Sequence, residues 1–88
     1  MNVSFDPVKQ AKNLSKHGVS LGLAEEFEWD TALIWTDARE DYGEDRQCAI
    51  GYIGARLFVV VFVEQSNGLR IISLRKANRT EIARYASS

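Results

Sequence analysis

The sequence predicts an α+β domain with two N-terminal helices, a four-stranded, largely antiparallel sheet and a short C-terminal helix. Three observations carry this expectation. A helix-start signal, Asp6-Pro7, opens a stretch with apolar residues at helical spacing. Four runs rich in β-branched and bulky apolar residues follow, between Thr31 and Arg75. The last three of these runs are separated at hairpin distances, by Gly54-Ala55 and by Ser66-Asn67-Gly68, and Asn-Gly is a strong turn signal.

The elements follow in chain order. Asp6 can cap free helical N–H groups, and Pro7 at the first helical position forfeits no hydrogen bond. The first helix then runs to about His17, where Gly18 can take the left-handed conformation that ends it. On a 3.6-residue repeat Val8, Ala11 and Leu14 share one side, expected to be the core face, while Lys9, Lys12 and Lys16 form a separate stripe. Ser20 can cap a shorter second helix through about Glu28, with Leu21, Ala24 and Phe27 inward. Thr31–Thr36 reads as a strand and Asp37–Asp45, polar and containing Gly43, as a loop. Strands are expected over Arg46–Ile53, Leu57–Glu64 and Leu69–Arg75. The run Leu57–Val63 is apolar on both faces, which suits a central strand covered on both sides. Asn78 with Glu81 three residues on forms a capping box that opens a last helix through about Ala86.

Eighty-eight residues with a single proline and no repeat form one domain, residues 1–88. The longest apolar run has seven residues, against the roughly 20 that a membrane-spanning helix needs. The charged N-terminus lacks the apolar stretch of an export signal, so a cytoplasmic protein without membrane contact is expected. One cysteine and one histidine allow neither an internal disulfide nor a zinc-ligand cluster, and no metal or other cofactor is expected. Net charge is −1 overall but unevenly spread: +2 over residues 1–20, −8 over 21–45 and +5 over 46–88. If the two basic ends meet in the fold they form a cationic cleft suited to phosphates; the alternative is charge dispersed over solvated faces.

Three blocks of the chain resemble the BrnT toxins. The first is Phe5-Asp6-Pro7, Lys9 and Asn13-Leu14-Ser15-Lys16-His17-Gly18-Val19-Ser20, a helix ending in Lys-His-Gly-Val. The second is Glu44-Asp45-Arg46 with Ile50-Gly51. The third is Arg70-Ile71-Ile72-Ser73-Leu74-Arg75-Lys76-Ala77 with Arg79, Glu81 and Tyr85. The resemblance implies a RelE-like fold and an endoribonuclease toxin that arrests translation and growth. It also implies a cognate BrnA-like antitoxin that binds DNA, so that the toxin itself meets DNA only indirectly. A non-catalytic module that binds the antitoxin, or acts as co-repressor of the operon, is the alternative reading.

RNA cleavage without metal needs a base for the 2′-hydroxyl proton, cations for the charge that builds on the phosphate, and an acid for the leaving 5′-oxygen. His17 is the side chain whose ordinary pKa suits proton transfer near neutrality. Its bland alternative is a cation lying against the helix C-terminal dipole. Glu64, ending the central strand, is a candidate base, with a solvated glutamate as the alternative. Lys16 and Arg75 suit phosphate, Arg75 because its planar fork holds two oxygens. Arg79 groups with Arg75 at the start of the last helix, whose N–H groups also favour phosphate. Arg70 lies five residues from Arg75 and so points to the opposite face unless the strand bulges. Pairing with acids of the middle segment is the alternative for Arg70. The catalytic candidates are therefore Lys16, His17, Glu64, Arg70 and Arg75, and the RNA-contacting candidates are Lys9, Lys12, Lys76, Arg79 and Tyr85. Tyr85 can stack on a base or pack the last helix with Ile82. Trp29 and Trp35, in the acidic segment, read as core or interface anchors.

Overall fold

The computed structural model describes residues 2–39 and 41–88; Glu40, within the expected loop, lies outside the described residues. The order is β1 (Val3–Ser4), α1 (Pro7–His17), a 3-10 helix (Leu21–Glu26), β2 (Leu33–Thr36), β3 (Gln47–Ile53), β4 (Arg56–Gln65), β5 (Gly68–Lys76) and α2 (Arg79–Ala86). The strands form one sheet in the order β1-β5-β4-β3-β2, with β1 parallel to β5 and every other pair antiparallel.

Two features correct the expected set of elements. The sheet is mixed and has five strands, because Val3 and Ser4 pair with Leu69 and Arg70. A two-residue strand carries no alternation, so its apolar pattern gives no sign of it. It is held by register on β5, with Leu69 N–H donating to Asn2 O at 2.8 Å. The second N-terminal helix is a 3-10 helix of six residues rather than an α-helix. Ser20 caps it as expected, accepting from Gly22 N–H. Phe27 then turns extended (φ −68°, ψ 134°) and ends it.

That early ending has a packing cause. The buried Phe27 ring lies so close over Gly51 that a Cβ there would stand 2.6 Å from its Cζ. Gly51→Ala is therefore expected to destabilise the domain by about 1–3 kcal/mol, the usual cost of overpacking. Thermal denaturation checks this, and an unchanged melting temperature would mean that the Phe27 ring is free to move aside.

Central β4 is covered on both faces, as its apolar run suggests. One face packs Ala49, Phe58, Val60, Phe62, Ile71 and Leu74 beneath Val19, Leu21, Ala24 and Phe27. Trp29 joins this layer, 4.5 Å from the Phe27 ring and edge-on to Phe62 at 5.0 Å. The other face carries Cys48, Ile50, Val59, Val61 and Ile72, with Trp35 and with Tyr85 of α2 against them. The capping box of α2 forms as expected, Asn78 and Glu81 each accepting from the other's backbone N–H.

Helix α1 reverses its expected orientation. Asp6 caps it and Gly18 ends it in the left-handed region (φ 68°). Yet Val8 and Leu14 are 61% and 46% exposed, and Ala11 is exposed as well. The helix does not lie across a sheet face. It stands along the edge of β5 beyond the end of β1, where unpaired strand backbone needs polar partners more than apolar ones. Asn13, 5% exposed, supplies them. Its Nδ2 donates to Leu74 O (2.7 Å) and Val19 O (2.8 Å), and its Oδ1 accepts from Leu74 N–H (3.2 Å). Gln10 acts similarly one turn earlier, accepting from Leu21 N–H and donating to Ser20 Oγ.

Candidate functional site

Because Asn13 holds α1 at the β5 edge, the helix side next to it overhangs the sheet face that α2 leaves partly open. The result is a cleft of about 620 Å³. Lys9, Lys12, Lys16 and His17 line its α1 wall, Arg75 rises from β5, Arg84 comes from α2, and Ala38 and Arg39 come from the segment after β2. Trp35, Cys48, Val59, Val61 and Ile72 form an apolar floor. Among the described residues Asp37 and Glu81 are the acids on the lining. The two basic ends of the sequence do meet here.

Each acid is held by an arginine. Arg75 and Glu81 form a two-pronged pair at 2.8 and 2.7 Å. Arg75 lowers the pKa of Glu81 mainly through these hydrogen bonds. Asp37 is buried and takes both Nε and Nη2 of Arg39 at 2.8 Å. Those bonds to Arg39 are the main reason its pKa is lowered to about 2. Among the described residues no group of three or more His, Cys, Asp or Glu stands placed to hold a metal ion.

His17 is half-buried beneath the helix end. Its pKa is lowered below the ordinary 6.5, first by burial and then by the positive charges of Lys16 and Arg75. Neutral imidazole therefore predominates at pH 7. Cys48, on the cleft floor, has its thiol pKa raised by burial and is a poor nucleophile at neutral pH.

Of the sequence candidates, the cleft brings together Lys9, Lys12, Lys16, His17 and Arg75. It does not include Glu64, which is exposed near the far end of β4. Arg70 lies outside it too, paired with Glu44 of the acidic segment. Lys76 and Arg79 are exposed off the lining. The start of α2 is not an open phosphate site, since its capping box occupies N–H groups there and places the Glu81 carboxylate beside them. Tyr85 packs: its hydroxyl donates to Thr31 O at 3.1 Å and its ring stands edge-on to Tyr52. Ile82, expected to pack beside it, is exposed.

The β5 bulge bears on both strand arginines. Val61 pairs with Ser73 but Phe62 with Ile71, leaving Ile72 as an extra residue. Arg70 pairs opposite Val63 and Arg75 opposite Val59, an even separation on β4, so both arginines stand on one face. They remain roughly 14 Å apart along the strand, at about 3.4 Å per residue, too far to grip one phosphate.

Sequence reasoning missed Arg39, Arg84 and the role of Trp35. The guanidinium of Arg84 lies 4.0 Å over the Trp35 ring. No periodicity or motif joins residues 49 positions apart; only the sheet order brings α2 over β2.

Against known families, the model of the ribonuclease toxin BrnT, of type II toxin–antitoxin systems, matches residues 5–81. No curated protein matches the chain.

Proposed function

Because this chain belongs to the BrnT family of ribonuclease toxins of type II toxin–antitoxin systems, we propose that the cationic cleft is where RNA is bound and cut. The observation that carries the proposal is the convergence of Lys9, Lys12 and Lys16 with Arg39, Arg75 and Arg84 around His17 in one concave site.

In this reading His17 takes the proton of a ribose 2′-hydroxyl. The 2′-oxygen bonds to phosphorus as the bond to the 5′-oxygen breaks, leaving a 2′,3′-cyclic phosphate and a 5′-hydroxyl end. Water in the open cleft protonates the leaving oxygen, and the hydroxide left behind takes back the proton held by the His17 imidazolium. Lys16 and Arg75 hold the non-bridging oxygens as charge builds there. Lys12 and Lys9, about one and two turns before the helix end, track the adjoining backbone. Glu81 is a positioning residue that fixes the plane of the Arg75 guanidinium. The protein works in the cytoplasm, and a BrnA-like, DNA-binding antitoxin neutralises it.

The chemistry is metal-independent in this proposal, because Asp37 and Glu81, the lining carboxylates among the described residues, are committed to arginines rather than turned toward a shared cation. Purified protein should therefore cut single-stranded RNA equally well in magnesium and in excess EDTA, giving cyclic-phosphate ends. Activity lost on chelation overturns the metal-free route. Absence of cleavage under both conditions overturns catalysis, in favour of a module that only binds the antitoxin.

A further inference from the structure

We infer that the outward side of α1 is a docking surface for an acidic, amphipathic segment of the protein antitoxin; the inference rests on the toxin reading above. Exposed apolar side chains are ordinary when scattered but informative when contiguous. Here they are contiguous. Val8, Ala11 and Leu14 recur at three-residue spacing on one helix arc that the fold leaves uncovered, and Phe5, 37% exposed, precedes it at the helix entrance. Asn13, Gln10 and His17 occupy the inward arc. Between these arcs lies the lysine row, with Lys12 next to Val8 and Lys16 and Lys9 beyond it on the cleft wall.

The lysines decide what kind of partner fits. A segment laid along α1 can bury the apolar arc and set its flank over Lys12 and Lys16, which favours carboxylates on that flank. A second copy of this chain suits the surface poorly. Packed antiparallel on the same arc, it would bring lysine row beside lysine row, and like charges so placed repel. RNA fits the lysines but has no use for the apolar arc. An acidic amphipathic helix satisfies both, and one side of it would overhang the cleft and exclude the substrate.

The test uses the full-length toxin with the purified antitoxin co-transcribed with it, and reads affinity, RNA cleavage and the melting temperature of the free toxin. Val8→Glu with Leu14→Glu should leave cleavage by the free toxin unchanged, because neither residue lines the cleft. Its melting temperature should also hold, because both side chains already face solvent. Affinity for the antitoxin should fall by at least about 100-fold, the scale set by losing two buried apolar side chains. If the double variant proves unstable, Val8→Ser with Leu14→Ser carries the same prediction with a smaller drop. Lys12→Glu should weaken the complex, and added salt should weaken the parental complex more than the Lys12→Glu one. Parental affinity in the apolar variants overturns the surface, and tighter binding by Lys12→Glu overturns the acidic partner. A toxin homodimer that dissociates in the Val8/Leu14 variant overturns it in favour of self-association. Failure of the free toxin to cut RNA, with docking intact, counts against the cleavage reading alone.

Discussion

Arg75→Ala is expected to slow RNA cleavage by roughly 10- to 150-fold, the worth of one charge-assisted hydrogen bond felt in the transition state. The substitution removes the guanidinium and also frees Glu81, whose carboxylate then faces incoming phosphate. Both effects act in the same direction. Stability should change much less, because the Arg75–Glu81 pair is partly exposed and such pairs contribute little. Glu81→Gln separates the two roles: it keeps the cation but loosens its aim, so cleavage should fall by less than in Arg75→Ala. His17→Gln completes the set through its pH profile. The pKa of His17 is lowered from 6.5, so the parental rate should hold above that value and decline as the pH falls through the lowered pKa and protonates the base. The same sign governs folding. The folded state resists this proton more than the unfolded chain does, so His17 contributes its full stability above pH 6.5 and loses it as the pH falls. The glutamine variant should be slow and lack the acid limb of the profile. Parental rates in both Arg75→Ala and His17→Gln would remove the cleft from the chemistry.

The largest loss of stability should come from Asn13→Leu, which matches the volume of the amide but none of its bonds. Two carbonyls and one N–H lose their partner in a buried position. Orphaned backbone groups cost about 1–3 kcal/mol each. Even with water reaching some of them, a loss of about 3–5 kcal/mol is expected by this measure. That is a large share of what a small domain has. Urea titration measures it; a change below about 1 kcal/mol would mean that α1 is held by something other than this amide. Cleavage should suffer as well, since the lysine wall of the cleft depends on where α1 stands.

The outcome at α1 shows what the chain makes legible and what it does not. Caps, turns and the strand runs are local, so Asp6, Gly18, Asn67-Gly68 and the Asn78–Glu81 box announce themselves. The face a helix buries is also readable when its neighbour is an apolar surface. Here the neighbour is strand backbone, and the correct inward residue is an amide that the apolar count discards. The cleft was half legible for a related reason. Charge segregation signalled that the basic ends could converge, while side-chain chemistry and the family resemblance singled out Lys16, His17 and Arg75. Arg39 and Arg84 depend on sheet order and on a loop after β2, neither of which leaves a periodic trace. β1 is too short to have a period at all.

The extra residue in β5 changes what a difference in length would mean there. Strand side chains alternate, so a one-residue gain or loss works as a phase shift rather than a local insertion. Ile72 is the residue that sets the phase between the two arginines. Related chains with five positions from the first strand arginine to the second are expected to carry the same irregularity. Those with four or six can dispense with it and still present both arginines on one side. In this stretch, spacing rather than identity is the quantity to compare between relatives, and a gap of one position in an alignment would mark a change of architecture.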